Sequence, residues 1–353
     1  MYDNPLAEAA RQAQICNSCR YCEGYCAVFP AMHDKRSFQT GDLVQLANLC
    51  HNCQNCYHAC QYTAPHEFNL NIPAVLAEVR QDSWEASAFP PALGRAFHRH
   101  GTLIALFTAL AMALLLGAVR TLPGGGAGFY AALSHNAMVA IFLPAFLLPL
   151  LAIAIGLRRY WRRVGGGRVR LSQIAAAFGS AAQMRNLAGG HGEGCNFEDE
   201  DRFSQKRRGF HQLVMYGFLL CFAATSAGTI LHYVFDAPAP YGPFSLPKLF
   251  GVPGGVMLCI GALGLLWLKA SVSSSLQDER VRGGEFGFVL LLLLTGASGL
   301  ALYYLRDTAA MEALLAVHLG AVLAFFLLMP YSKMAHGFYR LAALIRDEQG
   351  KRR

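Results

Sequence analysis

Charge is what this chain of 353 residues has least of. Asp, Glu, Lys and Arg make up 15% of it, where a soluble globular chain carries about 25%. With 54% apolar residues and a mean hydropathy of +0.31, that scarcity excludes an ordinary water-soluble enzyme. Several motifs are missing too. There is no strand-linked G-x-G-x-x-G for a flavin or dinucleotide, since Gly124-Gly125-Gly126 falls in a loop between apolar runs. No C-x-x-C-H would anchor a covalent haem. No Asp, Glu and His constellation in a soluble segment suits acid–base chemistry, so substrate chemistry is expected elsewhere. A disulfide framework would need an oxidising compartment and a secretory signal, and Met1–Ala10 has no apolar core. What charge exists is lopsided: 30 basic residues against 22 acidic ones, a net +8. The basic residues are spread among apolar runs rather than massed on one face, which excludes nucleic acid as a partner. Basic loops of a membrane protein produce this balance.

Cysteine is plentiful and unevenly placed. Eight of the 11 cysteines fall in the first 60 residues. Cys16, Cys19, Cys22 and Cys26 form one C-x2-C-x2-C-x3-C run, and Cys50, Cys53, Cys56 and Cys60 form a second. This is the run by which bacterial-type ferredoxins hold two [4Fe–4S] clusters. Three thiolates two residues apart wrap one cubane from a tight loop, and the fourth points away toward the other cluster. The expected assignment is therefore crossed: Cys16, Cys19, Cys22 and Cys60 on cluster 1, and Cys50, Cys53, Cys56 and Cys26 on cluster 2. Structural zinc would use well-separated C-x2-C pairs rather than eight cysteines in tandem. The ferredoxin run usually ends in Cys-Pro, whereas Ala27 and Gln61 follow here. Cys221 and Cys259 lie in apolar runs and are read as packing residues. Cys195, in Gly189–Cys195, is either a non-ligand residue of a flexible turn or part of a partner-docking site. The neighbouring Glu198–Asp201 run is read as a solvated face.

Six apolar runs follow residue 101: Thr102–Val119, Ser134–Gly156, Phe210–Phe235, Val252–Leu268, Phe286–Leu305 and Ala309–Met329. Each is near the roughly 20 residues that cross a bilayer as helix. The 157–209 loop carries Arg158, Arg159, Arg162, Arg163, Arg168 and Arg170. The C-terminal tail carries Lys333, Arg340, Arg346, Lys351, Arg352 and Arg353. Loops 120–133, 236–251 and 306–308 hold one basic residue each. Both termini and the 157–209 loop are therefore expected in the cytoplasm of a bacterial-type inner membrane. Ile72–Glu85, with Val75, Leu76, Val79 and Trp84, predicts an amphipathic helix beneath the clusters. The expected domains are residues 1–90, a cytoplasmic two-cluster head, and 91–353, a six-span membrane domain with the 157–209 loop partly folded on its surface.

Histidines inside spans are functional candidates by default. Span three carries His211 and His232, 21 residues or about 31 Å apart; span six and its exit carry His318 and His336, 18 residues or about 27 Å apart. Antiparallel packing brings His211 level with His336 and His232 level with His318. Facing imidazoles at one depth suit bis-His haem b, the first pair on the cytoplasmic side and the second on the outer side. One haem, two haems and four hydrogen-bonded packing histidines all remain open on spacing alone. His135 opens span two at the outer face, as a ligand or as an interfacial residue.

The segment from Val317-His318-Leu319-Gly320 to Met329-Pro330-Tyr331-Ser332-Lys333-Met334-Ala335-His336 resembles the last haem-binding helix of respiratory nitrate reductase gamma subunits. Those subunits also carry two His 18 apart on one helix. The whole chain is similar to the tricarballylate- or citrate-utilisation protein B family and to the C-terminal half of flavohaem oxygenases of the CobZ type. That similarity rests on the tandem cysteine motif, the His66-Glu67-Phe68-Asn69-Leu70-Asn71-Ile72-Pro73 linker, the Cys195 loop and the His-bearing spans. It implies an electron-transfer protein that reoxidises a partner FAD-dependent dehydrogenase of the tricarballylate or citrate type. Electrons would pass through two [4Fe–4S] clusters and haem b to membrane quinone. The alternatives are a quinol-oxidising subunit feeding a cytoplasmic reductase and a membrane-bound redox sensor; the chain has no helix-turn-helix or kinase module for the latter. The expected fold is mainly α: a ferredoxin-like helical head on a six-helix transmembrane bundle.

Overall fold

A computed structural model describes residues 2–33, 35–119, 133–189, 194–195, 203–237, 239–271 and 279–351. The Gly124–Gly126 run, residues 190–193 of the glycine-rich loop and Glu198–Asp201 lie outside the described residues. Among the described residues there are 13 α-helices and no β-strand, only an antiparallel bridge between Cys195 and Ser204.

The head is built from short capped helices. In α1 (Pro5–Cys19), the Asn4 side chain accepts from Ala7 N at 3.1 Å, and Pro5 opens the first turn. The helix stops at Arg20, which turns left-handed at φ 58°. Short α2 (Val28–His33), α3 (Thr40–Leu49) and α4 (Asn55–His58) follow. Asn71 caps α5 (Ile72–Ser87) by accepting from Ala74 N, and Pro73 sits in its first turn. The predicted amphipathic helix is thus present and two residues longer. It buries Val75, Leu76, Val79 and Trp84 and packs on α1 and α3.

Six long helices follow: α6 (Pro91–Val119), α7 (His135–Arg163), α9 (Lys206–Phe235), α10 (Leu246–Ser271), α11 (Glu279–Leu305) and α12 (Met311–Leu328). All six are long and apolar enough to cross a membrane. Most outrun their apolar sequence runs, because helical hydrogen bonding continues where the side chains turn polar. The α6 backbone breaks at His100 (φ −127°, ψ 25°), just before its apolar run begins. Beyond the kink, Leu103, Phe107, Leu110 and Leu114 recur at three- and four-residue steps and are all exposed, the outward apolar stripe of a helix that faces lipid.

Small residues let the helices meet closely. A Cβ on Gly217 of α9 would stand 2.6 Å from Leu258 N of α10, and one on Gly261 of α10 would stand 2.7 Å from Phe210 O of α9. Gly101 meets Gly284 of α11, and Gly320 of α12 meets Ala113 of α6, just as tightly. At one end of the bundle, half-buried Glu285 of α11 bonds both Lys269 of α10 and Lys333 beyond α12.

At that same end lie α8 (Leu171–Gln183), α13 (Ala335–Gly350) and the head. The 157–209 loop is therefore partly folded, as expected. Head residues Leu43, Val44, Val75, Leu76 and Trp84 form one apolar core with Tyr160 of α7, Ala177 of α8, and Tyr339, Ala343 and Leu344 of α13. Trp84 stacks on Tyr339 at 6.1 Å. Tyr160 Oη donates to Gln45 Oε1 (2.9 Å), and Gln45 Nε2 donates to Ala343 O (2.7 Å). The head is packed into the bundle end rather than tethered to it.

Candidate iron–sulfur and haem sites

The eight head cysteines fall into two quartets. A cavity of ≈ 300 Å³ is lined by Cys16, Cys19, Cys22, Cys60 and Cys56, with Phe29, Leu70 and Ile72 as apolar wall. Burial pushes the Cys16 thiol up to about 12, helped by the charges of Cys60, Cys22 and Cys19. Cys22 rises to about 12 for the same reason, with Cys60 and Cys19 beside it. The second quartet is deeper. Cys26 is raised well above the usual thiol range by burial, then by Cys53 and Cys50. Cys56 is raised by burial, then by Cys53, Cys50 and Cys26. Cys22 also acts on both Cys26 and Cys56, so the two expected quartets adjoin.

Backbone geometry explains the convergence. Asn52 (φ 52°) and Gln54 (φ 66°) turn left-handed on either side of Cys53, which curls the C-x2-C loop inward. Asn52 N donates to Cys50 Sγ (3.4 Å) and Tyr62 N to Cys60 Sγ (3.3 Å), the amide–sulfur bonds that tune cluster potentials. Four thiolates drawn together around one cavity would repel one another unless a cation pooled their charge. No three His, Cys, Asp or Glu side chains among the described residues meet at single-ion spacing.

Cys195 is buried against this second quartet. It shares a hydrogen bond with Cys53, which together with burial raises Cys53, and it packs with Met184 and Leu187. Asn55 Nδ2 donates to Gly194 O at 2.8 Å. The flexible-turn alternative does not describe this end of the loop.

Of the span histidines, His211 of α9 and His336 of α13 are brought together, with ring centroids 5.8 Å apart and planes at 82°. Two imidazoles brought this close from facing helices are the donor set that a bis-His haem b would take. His336 Nδ1 bonds Lys333 O, and His318 Nδ1 lies 3.2 Å from Ser298 Oγ. His336 and His318 thus each have Nδ1 engaged, an arrangement that orients a metal-binding histidine. The Nδ1 atoms of His211 and His232 are buried without a protein partner.

The outer end is arranged differently. His232 stacks on His135 at 4.2 Å, and His135 Nε2 lies 2.8 Å from Tyr233 Oη. His318 lies instead against Ser298 and Gly299, where a Cβ would stand 2.9 Å from its Cε1. Between the two levels, Phe146, Phe222, Phe326, Phe325 and Phe218 form a continuous chain of ring contacts.

A ferredoxin-like eight-cysteine head fused to six membrane-length helices with half-buried histidines defines a membrane-associated iron–sulfur protein. More narrowly, the chain belongs to the citrate utilization protein B family. The family model described as "Citrate utilization protein B" matches residues 95–353, and that for the "Citrate utilization protein B Fer4-like domain" matches residues 9–86. The chain is 44% identical over 355 residues to the Escherichia coli "Citrate utilization protein B", covering 99% of this chain and 93% of that protein. No solved structure matches it.

Proposed function

We propose that this protein is a membrane electron-transfer subunit that reoxidises a partner FAD-dependent dehydrogenase of the tricarballylate or citrate type and delivers the electrons to membrane quinone. Bound clusters and haem b supply one-electron carriers between a two-electron donor and a two-electron acceptor. The partner's reduced flavin gives up two electrons and two protons, and quinone takes up two of each to become quinol.

The observation that carries this function is the juxtaposition of the second thiol quartet with the His211–His336 pair: Arg207 donates to His51 O at 2.9 Å and Arg340 to Cys50 O at 2.7 Å, each four residues from one of those histidines. The first quartet lies on the solvent side, with Cys19 and Tyr21 exposed beside its cavity, and suits contact with a soluble flavoprotein. Cys16, Cys19, Cys22 and Cys60 would hold cluster 1; Cys50, Cys53, Cys56 and Cys26 would hold cluster 2. His211 with His336, and His232 with His318, would hold haem b. The excess of Arg in the 157–209 loop and the tail supports placing both termini in the cytoplasm of a bacterial inner membrane, where reduced thiols remain available to iron. The family name supports the class of organic acid handled by the partner.

The test is iron, acid-labile sulfide and pyridine haemochrome assay of the purified membrane protein, followed by mixing with the reduced flavoprotein. Bleaching of cluster absorbance followed by reduced haem bands is expected; clusters that bleach while no haem band forms would sink the proposal.

A further inference from the structure

The loop Cys50–Asn52 is gripped by arginines from the two helices that bear the inner histidines. Arg207 lies four residues before His211 on α9; its Nη2 donates to His51 O at 2.9 Å and its Nη1 to Asn52 O at 2.8 Å. Arg340 lies four residues after His336 on α13; its Nη2 donates to Cys50 O at 2.7 Å, and its Nη1 bonds His51 Nδ1. From beneath, Arg80 of α5 donates to Cys50 O (3.0 Å) and Ala47 O (3.3 Å). A guanidinium does not give up its proton in proteins, and an uncompensated buried one is costly. Arg340 is half-buried against the cysteine loop. Its Nε is buried with no protein acceptor, which suits a guanidinium facing an anionic group.

We infer that Arg207 and Arg340 are positioning residues: each ties the Cys50–Asn52 loop to the helix turn beside one inner histidine, and together they fix the spacing between the second thiol quartet and the His211–His336 pair. The inference rests on the proposed function, because the spacing matters only if both sites are loaded. It goes further in making the second quartet the one coupled to the bundle, the first being the outward one.

The test uses the full-length protein in lipid nanodiscs with Arg207→Gln, Arg340→Gln and Arg340→Lys. Arg208→Gln serves as control, since Arg208 bonds Gln183 O instead of the cysteine loop. Two readouts apply besides turnover: hydrogen exchange of the residue 50–52 amides, and relaxation of the reduced-cluster paramagnetic signal by ferric haem. Arg207→Gln and Arg340→Gln should raise exchange at 50–52 by about tenfold and slow the haem-induced relaxation. Arg340→Lys should fall between them and wild type, and Arg208→Gln should match wild type. Unchanged exchange and relaxation in both Gln variants would overturn the inference while leaving the proposed function standing. Exchange is read whether or not haem is loaded, so a poorly loaded variant still decides the matter. A wild-type protein with full iron and no haem would overturn the proposed function, and this inference with it.

Discussion

A thiolate is a useful ligand here because of what its neighbours cannot do. Cys26 is half-buried, and the charges it feels come first from Cys53 and Cys50 in the other cysteine run and then from Cys22 in its own. Cys26→Ala is expected to remove the cluster shared with Cys50, Cys53 and Cys56, leaving about four of about eight irons; Cys60→Ala should remove the other cluster. Iron counts with paramagnetic spectra of the reduced proteins distinguish this from in-run pairing, in which Cys26→Ala would strip the cluster on Cys16, Cys19 and Cys22. The ligands themselves are legible in the sequence, because each run is encoded within 11 residues and its chemistry is local. The residues that orient them are not. Arg340 reaches Cys50 across 290 positions and Arg207 reaches His51 across 156; a single arginine among 24 carries no pattern of its own. Cys195 reads as a turn residue in sequence for the same reason, and only the fold sets it against Cys53. At the outer level, spacing pairs His232 with His318, yet His232 stacks on His135. His232→Ala and His318→Ala should each lower haem content by about half if two haems bind as proposed. His135→Ala should keep the haem count and shift the haem spectrum. A pyridine haemochrome assay on the three variants decides, and loss of haem from His135→Ala with none from His318→Ala would reassign the ligand.

Helices bring these residues to common depths, and their closest approaches depend on glycine. Gly261 of α10 faces the backbone of α9 on both sides of His211: a Cβ there would lie 2.7 Å from Phe210 O and 2.7 Å from Val214 N. Neither atom is the end of a flexible chain, so a side chain must move the helix itself, and overpacking of this kind costs about 1–3 kcal/mol. Gly261→Leu is therefore expected to lose the haem held by His211 and His336 while keeping the outer haem and all the iron, read as haem and iron per protein with the melting temperature in detergent. Hydropathy made all six long helices visible in advance, because a bilayer demands a long apolar run and nothing subtler. It left their ends in doubt. The fourth run reads as Val252–Leu268 with uncertain limits, and the helix spans Leu246–Ser271 with Pro253 inside it. Proline near a helix start removes no hydrogen bond that the first turn would make; Pro253 sits farther in, where neighbouring spans can hold a helix together despite it.

Across the whole molecule, the cysteine head and the membrane bundle share one core, and this has a consequence for stability that two separately folded domains would not have. Tyr160, Tyr339, Ala343 and Leu344, all from the bundle end, are at most 6% exposed because α3 and α5 cover them. Each large apolar side chain stripped of its cover forfeits about 1.5–3 kcal/mol, against a total stability that is typically about 5–15 kcal/mol. The Gln45 bridge between Tyr160 and Ala343 goes with them, leaving buried polar atoms unpaired at about 1–3 kcal/mol. Residues 91–353 expressed alone should therefore insert but fail to hold α13 in place, and α13 carries His336. The expected outcome is retention of the outer haem with loss of the inner one and a lower melting temperature. Stripping iron from the intact chain with a chelator and oxidant should act in the same direction but less, since the apolar contacts of α3 and α5 remain while the four-thiol centres repel. Haem content and thermal unfolding, compared across intact, iron-stripped and head-deleted protein, give the ordering. If the head-deleted protein melted with the intact one and kept both haems, the shared core would contribute nothing to the bundle, and the head would be a tethered carrier instead of part of the membrane fold.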